Sequence, residues 1–311
     1  MIRPGDNPGE NAAVGRGDRI APPPPASLRG RVLYADDPGG TVPVSVTGSR
    51  CQLDCAHCGA HYLKAMSSLE AAKKKSAESF LISGGSDSQG RVPVLEHAGQ
   101  IEHLGREAGL NVHTGLVLDP REAERLGQLA SVVSFDFVGS DETIRDVLGL
   151  SHTVGDYLVS YRLLARHAAV YPHICVGLHG GRLRGEHRAV EILAGESPPA
   201  LVLLVFRPTR GSRLESCAPP PVGEVADFLR WSRQTLPDIP IVLGCMRPGG
   251  NYRRDIDRQA VLAGLDGIVK PHPAALDLAR EVGRPIRPGG QCCSLEMARR
   301  LASKGEEGER E

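Results

Sequence analysis

The chain has 311 residues, of which 41% are hydrophobic, and its 37 lysines and arginines balance 37 aspartates and glutamates. Zero net charge excludes the basic footprint of a nucleic-acid binder, and no run of about 18 apolar residues is present to cross a bilayer. The first residues lack the apolar stretch of a secretory signal, so a cytoplasmic protein is expected, with neither nucleic-acid nor membrane partners.

In chain order, residues 1–27 are rich in Gly, Pro, Arg and Asp, include Pro22-Pro23-Pro24-Pro25, and show no apolar periodicity. That composition predicts a disordered extension. Residues 28–303 are the expected ordered body. Strands are predicted over Val42–Thr47, Ser79–Ile82, Asn111–Leu116, Val132–Phe137, His173–Leu178, Leu201–Phe206, Ile239–Leu243 and Gly267–Val269, because most are β-branched runs closed by Gly, Pro or a polar residue. Helical patterns fall between them, over Tyr62–Lys74, Val94–Glu107, Thr153–His167, Val222–Gln234 and Asp255–Ala263. Strands alternating with helices imply a parallel sheet with helices outside. The expected fold is therefore α/β, a (β/α)8 TIM-type barrel, either closed or partial and open. Residues 304–311 form a charged tail expected to fray. A parallel barrel carries its site at the carboxyl ends of its strands, so a motif directly following a strand is a candidate.

Eight cysteines are present. In a reducing compartment they point to metal or redox chemistry rather than disulfides, although free Cys also packs as a small apolar residue. Cys51, Cys55 and Cys58 directly follow the first predicted strand, with spacing C-x3-C-x2-C. Three thiolates on one short loop can hold three corners of a [4Fe–4S] cube, whereas most such clusters take four cysteines; one iron is left open. Zinc is the alternative, but it prefers a closed tetrahedron, and His57 is the only other nearby donor.

This motif, with the ring residue His57 before its last cysteine, resembles the signature of the radical S-adenosylmethionine (SAM) superfamily. The resemblance implies that the open iron is chelated by the amino and carboxylate groups of SAM. Reductive cleavage then yields a 5′-deoxyadenosyl radical that abstracts a substrate hydrogen. Gly84-Gly85-Ser86, after the second strand, is similar to the Gly-Gly-Glu turn whose backbone binds the SAM amino group, with Ser86 replacing the acid. His113 and Asp136, ending the third and fourth strands, can contact SAM or substrate at the mouth, or serve as structural hydrogen-bonding groups. The stretch Ile174–Arg182, followed by Gly185-Glu186, resembles the strand and turn beside the SAM adenine and ribose in biotin-synthase-like enzymes, with Arg182 and Glu186 as candidate contacts. Arg207–Ser212 is similar to a loop of the same group. Arg247 is a further candidate contact with substrate or SAM.

Of the remaining cysteines, Cys217 and Cys245 lie in loops after the sixth and seventh strands. Cys292 and Cys293 follow a Pro-Gly-Gly segment near the end, and Pro285–Pro288 must carry them back towards the mouth. Cys217, Cys245, Cys292 and Cys293 are candidate ligands of a second [4Fe–4S] cluster, or else buried thiols. The segments Ser45–Met66 and Gly244–Pro248 resemble a component of the two-protein, archaeal-type lipoyl synthase. That likeness implies sulfur insertion into an octanoyl chain on a lysine of a lipoyl-carrier protein. A second radical SAM protein and an electron donor such as a ferredoxin would be its partners. Alternatives are another biotin-synthase-like reaction (methylation, rearrangement or cofactor maturation), a non-catalytic iron–sulfur electron carrier, and a zinc protein.

Overall fold

The computed structural model describes residues 26–308. Ten strands form one sheet: β1 (Leu33–Asp36), β2 (Thr41–Ser45), β3 (Ser79–Ser83), β4 (Gly109–His113), β5 (Val132–Asp136), β6 (Val170–Val176), β7 (Leu201–Val205), β8 (Ile241–Leu243), β9 (Gly267–Val269) and β10 (Ile286–Gly289). Every pairing is parallel, and the spatial order is β10-β1-β9-β8-β7-β6-β5-β4-β3-β2. The sheet curls into an open, TIM-like half-barrel with β2 and β10 as its edges.

The eight predicted strands correspond to β2 through β9. Two strands were not expected, β1 and β10, which pair with each other at the β9 edge. They are short, and β10 reads Ile286-Arg287-Pro288-Gly289. Proline is tolerated there because an edge strand leaves one row of N–H groups unused. The segment expected to be disordered ends in a 3₁₀ turn at Ala26–Leu28, and Leu28 is buried. The rest of that expectation lies outside the described residues.

Helices cover the outer face: α1 (Leu69–Ala72), α2 (Ala98–Leu104), α3 (Pro120–Leu129), α4 (Asp141–Thr143), α5 (Val154–Ala165), α6 (Glu186–Glu196), α7 (Val222–Thr235), α8 (Gly250–Leu262) and α9 (Pro273–Glu281). Their starts are locally encoded. Thr153 and Asp156 form a reciprocal capping box on α5, and Asp119 caps α3 with Pro120 in its first turn. The helix expected over Tyr62–Lys74 is instead a 3₁₀ turn at His61–Ala65 followed by the single turn of α1.

Strand alternation sorts side chains between two faces. Leu110, Val112, Val133 and Phe135 join the large core under the helices, while Val132 and Tyr171 belong to a separate interior cluster. A tenth helix, α10 (Cys293–Gly308), turns back into the barrel and continues into the segment expected to fray. Its Leu295 and Met297 pack on Val132, Tyr171, Ala200, Val242 and Val269. Each such buried side chain contributes about 1.5–3 kcal/mol. Arg300 anchors the helix, pairing with buried Asp36 and stacking 3.8 Å over the Tyr34 ring.

Among the described residues, no helix is long and apolar enough to cross a membrane.

Candidate metal centre

The cysteine loop leaves β2 at Ser45 and is shaped by four residues in the left-handed region, Gly48, Asp54, Gly59 and Ala60. For Asp54 and Ala60 that conformation costs of order 1 kcal/mol and persists only where surroundings enforce it. Three neighbours do so. From the β3 side, the Gly85 N–H donates to Thr47 Oγ1 at 2.7 Å, and the Gln52 N–H donates to the Ser86 carbonyl at 2.9 Å. A π-helical turn at Ile144–Leu148 accepts the Ala56 N–H on the Val147 carbonyl at 2.7 Å and lies 3.8 Å from Cys55 Sγ at the Leu148 carbonyl. From the loop after β7, the Leu214 N–H donates to the Ala56 carbonyl at 3.0 Å, and the Tyr62 and Thr209 hydroxyls meet at 2.7 Å.

Gly85 is required by close approach. A Cβ there would fall 1.9 Å from the Arg50 carbonyl oxygen and 2.6 Å from the Cys51 Cα. The glycine pair therefore serves first to seat the cysteine loop. Thr47, which sequence reasoning missed, is the side chain that clasps the two loops together.

Electrostatics prepare one thiol for metal. A hydrogen bond from Cys55, reinforced by His57, lowers Cys58 to about 4, so it is a thiolate at neutral pH. Cys55 keeps the shared proton: the bond to Cys58, then burial, push it well up. The His57 Nδ1 is buried without a partner. Cys51 stands apart, its Sγ 3.9 Å from the Ser86 carbonyl. Among the described residues, the one group of three or more potential ligands converging within 4.8 Å is Glu142, Asp146 and His179. The three loop sulfurs are therefore spread too widely for one zinc ion with bonds of about 2.3 Å. Cys51 is the sulfur that stands apart from the hydrogen-bonded Cys55 and Cys58, and three thiols on one loop are a donor set of the kind that holds an iron–sulfur cluster. Glu142 and Asp146 are themselves paired with Arg184 and Arg145 on the surface.

The other candidates scatter around the mouth. His113 is half-buried and Asp136 exposed; burial holds the His113 imidazole below its ordinary pKa, against the pull of Asp136. Arg182 is exposed. Glu186 is 5% exposed at the start of α6, where its Oε1 accepts the Gly177 N–H at 2.8 Å and its Oε2 is unpartnered. Burial raises its pKa, while backbone N–H groups oppose the rise. Glu186 thus holds the turn after β6 in shape. Arg247 does not line the mouth. It is fully buried against Asp257, with bonds at 2.6 and 2.9 Å, and also donates to the Gly244 and Val269 carbonyls.

The late cysteines separate. Cys217 lies beside Gly180, 3.4 Å from where a Cβ on that glycine would stand. No contact joins it to Cys245, Cys292 or Cys293 among the described residues. The cause is the loop after β7, which folds onto the cysteine loop rather than across the mouth. Cys292 and Cys293 enter the barrel interior. Asn111 Nδ2 donates to Cys292 Sγ at 3.1 Å, and Cys293 Sγ is 3.9 Å from His173 Nε2. Burial raises Cys293 well above an ordinary thiol, and the nearby Cys292 and Cys245 add to it. Burial lowers His173 to about 4, helped by His113. His173 was not singled out in the sequence; its one signal was a shared strand face with Tyr171 and Cys175.

No protein-family model matches the chain, and no curated protein matches it by sequence. Solved structures do share the fold. A methylornithine synthase (PylB) aligns with TM-score 0.55 and 12% identity, over 83% of this chain and 84% of that one. The FeFe-hydrogenase maturase HydG from Carboxydothermus hydrogenoformans aligns with TM-score 0.57 and 15% identity, over 78% of this chain and 61% of the maturase. The chain thus spans about three fifths of the maturase's length.

Proposed function

We propose that this chain is a radical SAM enzyme. The observation that carries the reading is a C-x3-C-x2-C loop at the carboxyl end of a barrel strand, in which Cys55 and His57 lower the Cys58 thiol. The two fold neighbours, both radical SAM enzymes, support it. Cys51, Cys55 and Cys58 would hold a [4Fe–4S] cluster. The backbone of Gly84, Gly85 and Ser86 would receive SAM, with His113, Asp136, Arg182 and the Glu186 turn around it. Bound together, cluster and SAM supply a 5′-deoxyadenosyl radical for hydrogen abstraction. The chain's own part is placement: Thr47, Ser86, Val147 and Leu214 fix the loop.

The reaction proposed is sulfur insertion into an octanoyl chain on a lipoyl-carrier protein. A second radical SAM protein, a ferredoxin-type donor and a cytoplasmic setting complete the reading. Its support is the likeness of Ser45–Met66 and Gly244–Pro248 to the two-protein lipoyl synthase, together with thiols in the barrel that can hold a second cluster. The hydrogenase maturase among the fold neighbours favours cofactor maturation as a second reading.

The test is anaerobic reconstitution followed by assay of 5′-deoxyadenosine from SAM. Cys55→Ala is expected to abolish it, because two thiolates cannot retain the cluster. Continued production by that variant refutes the radical SAM reading.

A further inference from the structure

The loop after β7 carries Arg207, Arg210 and Arg213, all exposed, and it is laid along the cysteine loop. The Leu214 N–H donates to the Ala56 carbonyl and Arg213 Nη2 to the Asp54 carbonyl, each at 3.0 Å. Thr209 meets Tyr62, and the Arg207 guanidinium lies 5.7 Å over the centre of the Tyr62 ring. Two more exposed cations, Arg50 and Lys64, stand at either end of the cysteine loop. Against these five, the same two segments hold two carboxylates, Asp54 and Glu215, and Glu215 is turned onto the Gly211 N–H at 2.6 Å. Carboxylates on neighbouring elements are paired elsewhere: Asp87 with Arg91 in the turn after β3, Asp146 with Arg145 in the π-helical turn, and Glu142 with Arg184. The whole chain carries no net charge, so the positive surplus here is local.

The place of that surplus gives it a use. The cysteine loop reaches the surface: Gln52 and Asp54 are exposed, and Cys51 and Cys58 are half-buried. A radical SAM enzyme needs one electron delivered to the group its cysteines hold. A substrate carrier must send its chain into the barrel, whereas an electron donor needs only the outer side of the cysteine loop, which this face borders. Opposite charge raises the encounter rate of two proteins by about 10–10³-fold, which suits a partner that must bind, transfer an electron and leave. Two of the cations are also held before any partner arrives, Arg207 by the Tyr62 ring and Arg213 by the Asp54 carbonyl, so docking orders less side chain.

We infer that the face formed by Arg50, Lys64, Arg207, Arg210 and Arg213 is the docking surface for an electron-donor protein whose redox centre is ringed by carboxylates. The inference rests on the radical SAM reading and adds the surface and the charge of the partner. One electron leaves the reduced donor and enters the cluster on Cys51, Cys55 and Cys58; the donor is oxidised by one electron, and no bond forms or breaks in the transfer.

The experiment measures 5′-deoxyadenosine from SAM with the full chain, reconstituted anaerobically. One arm is driven by dithionite and the other by a reduced acidic ferredoxin. In the wild type, the ferredoxin-driven rate should fall as ionic strength rises from about 0.01 to 0.15 M, over which the screening length shrinks from about 30 to 8 Å, while the dithionite-driven rate changes little. A ferredoxin-driven rate indifferent to salt overturns the inference without any variant. The double variant Lys64→Glu, Arg210→Glu reverses two exposed charges. It should lose about tenfold in the ferredoxin-driven rate at low salt and keep the dithionite-driven rate; Arg125→Glu, an exposed arginine on α3, should keep both. A double variant with the wild-type ferredoxin-driven rate overturns the inference. Equal losses in both arms also overturn it, because the two cations then serve the cysteine loop itself and not the donor. No dithionite-driven cleavage by the wild type is the separate result that refutes the radical SAM reading.

Discussion

Replacing Gly85 with alanine tests whether the glycine turn seats the cysteine loop. The φ of Gly85 is not in the left-handed region, so alanine meets no backbone penalty there. The obstacle is contact alone. The new carbon would lie 1.9 Å from the Arg50 carbonyl oxygen, 2.6 Å from the Cys51 Cα and 2.7 Å from the Arg50 carbonyl carbon. Ordinary contact needs about 3.5 Å, so the two loops must part by about 1.5 Å. All three atoms belong to the backbone, and no flexible side chain can absorb the change. Overpacking of this kind costs about 1–3 kcal/mol, or about 2–5 °C in Tm for a chain of this size. The larger effect falls on chemistry, because a displacement of about 1 Å near a reacting centre costs about a hundredfold in rate. Gly85→Ala should lose most of its iron at the first site and about a hundredfold in 5′-deoxyadenosine formation. Gly195→Ala on α6 is the control: nothing lies within 4 Å of its added carbon, and a helix gains about 0.5–1 kcal/mol from that change. A Gly85→Ala protein with native iron content and native SAM cleavage would show that the turn does not position the cysteines.

Two further outcomes are expected. In the metal-free protein, Cys58 should be alkylated by iodoacetamide at a rate nearly flat between pH 5.5 and 8, since it is lowered to about 4 by Cys55 and His57; an ordinary thiol titrates near 8.5 and loses its rate across the same window. Peptide mapping that finds Cys58 slowed at pH 5.5 refutes the assignment. Arg247→Met leaves Asp257 charged and unpaired in a site where both side chains are fully buried, which costs about 3–5 kcal/mol. Urea unfolding should show that loss, and the double variant with Asp257→Leu should recover much of it; a loss below about 1 kcal/mol would mean the pair is not buried as described.

The parts legible in the sequence were those encoded within a few residues. The spacing of Cys51, Cys55 and Cys58 fixes a shared loop whatever surrounds it, and the runs from Val42 to Val269 announced β2 to β9 by β-branched composition. What escaped depends on long-range partners. β1 is only four residues long and β10 contains Pro288 and Gly289, so neither has a strand pattern of its own; β1 exists because β9 and β10 flank it, and β10 because β1 lies beside it. Arg247 looked like a mouth residue because it follows β8, but Asp257 on α8 draws its guanidinium under the loop. The pairing of His173 with Cys293 spans 120 residues and becomes visible only once α10 re-enters the barrel.

The same contrast separates the cysteine loop from the interior thiols. The loop follows β2 and is clasped first by the turn after β3, through the Thr47 to Gly85 contact that needs the shortest loop closure of the three that seat it, the others coming from Val147 and Leu214. The interior pair of His173 and Cys293 needs β6 and α10 together, and α10 stays in place through the Arg300 pair with Asp36 and the packing of Leu295 and Met297. A perturbation of α10 therefore acts first on the interior donors and reaches the cysteine loop only through the sheet. The His113 and His173 rings lie 5.5 Å apart and His113 ends β4, so those two imidazoles join the end of β4 to the interior contact of His173 with Cys293.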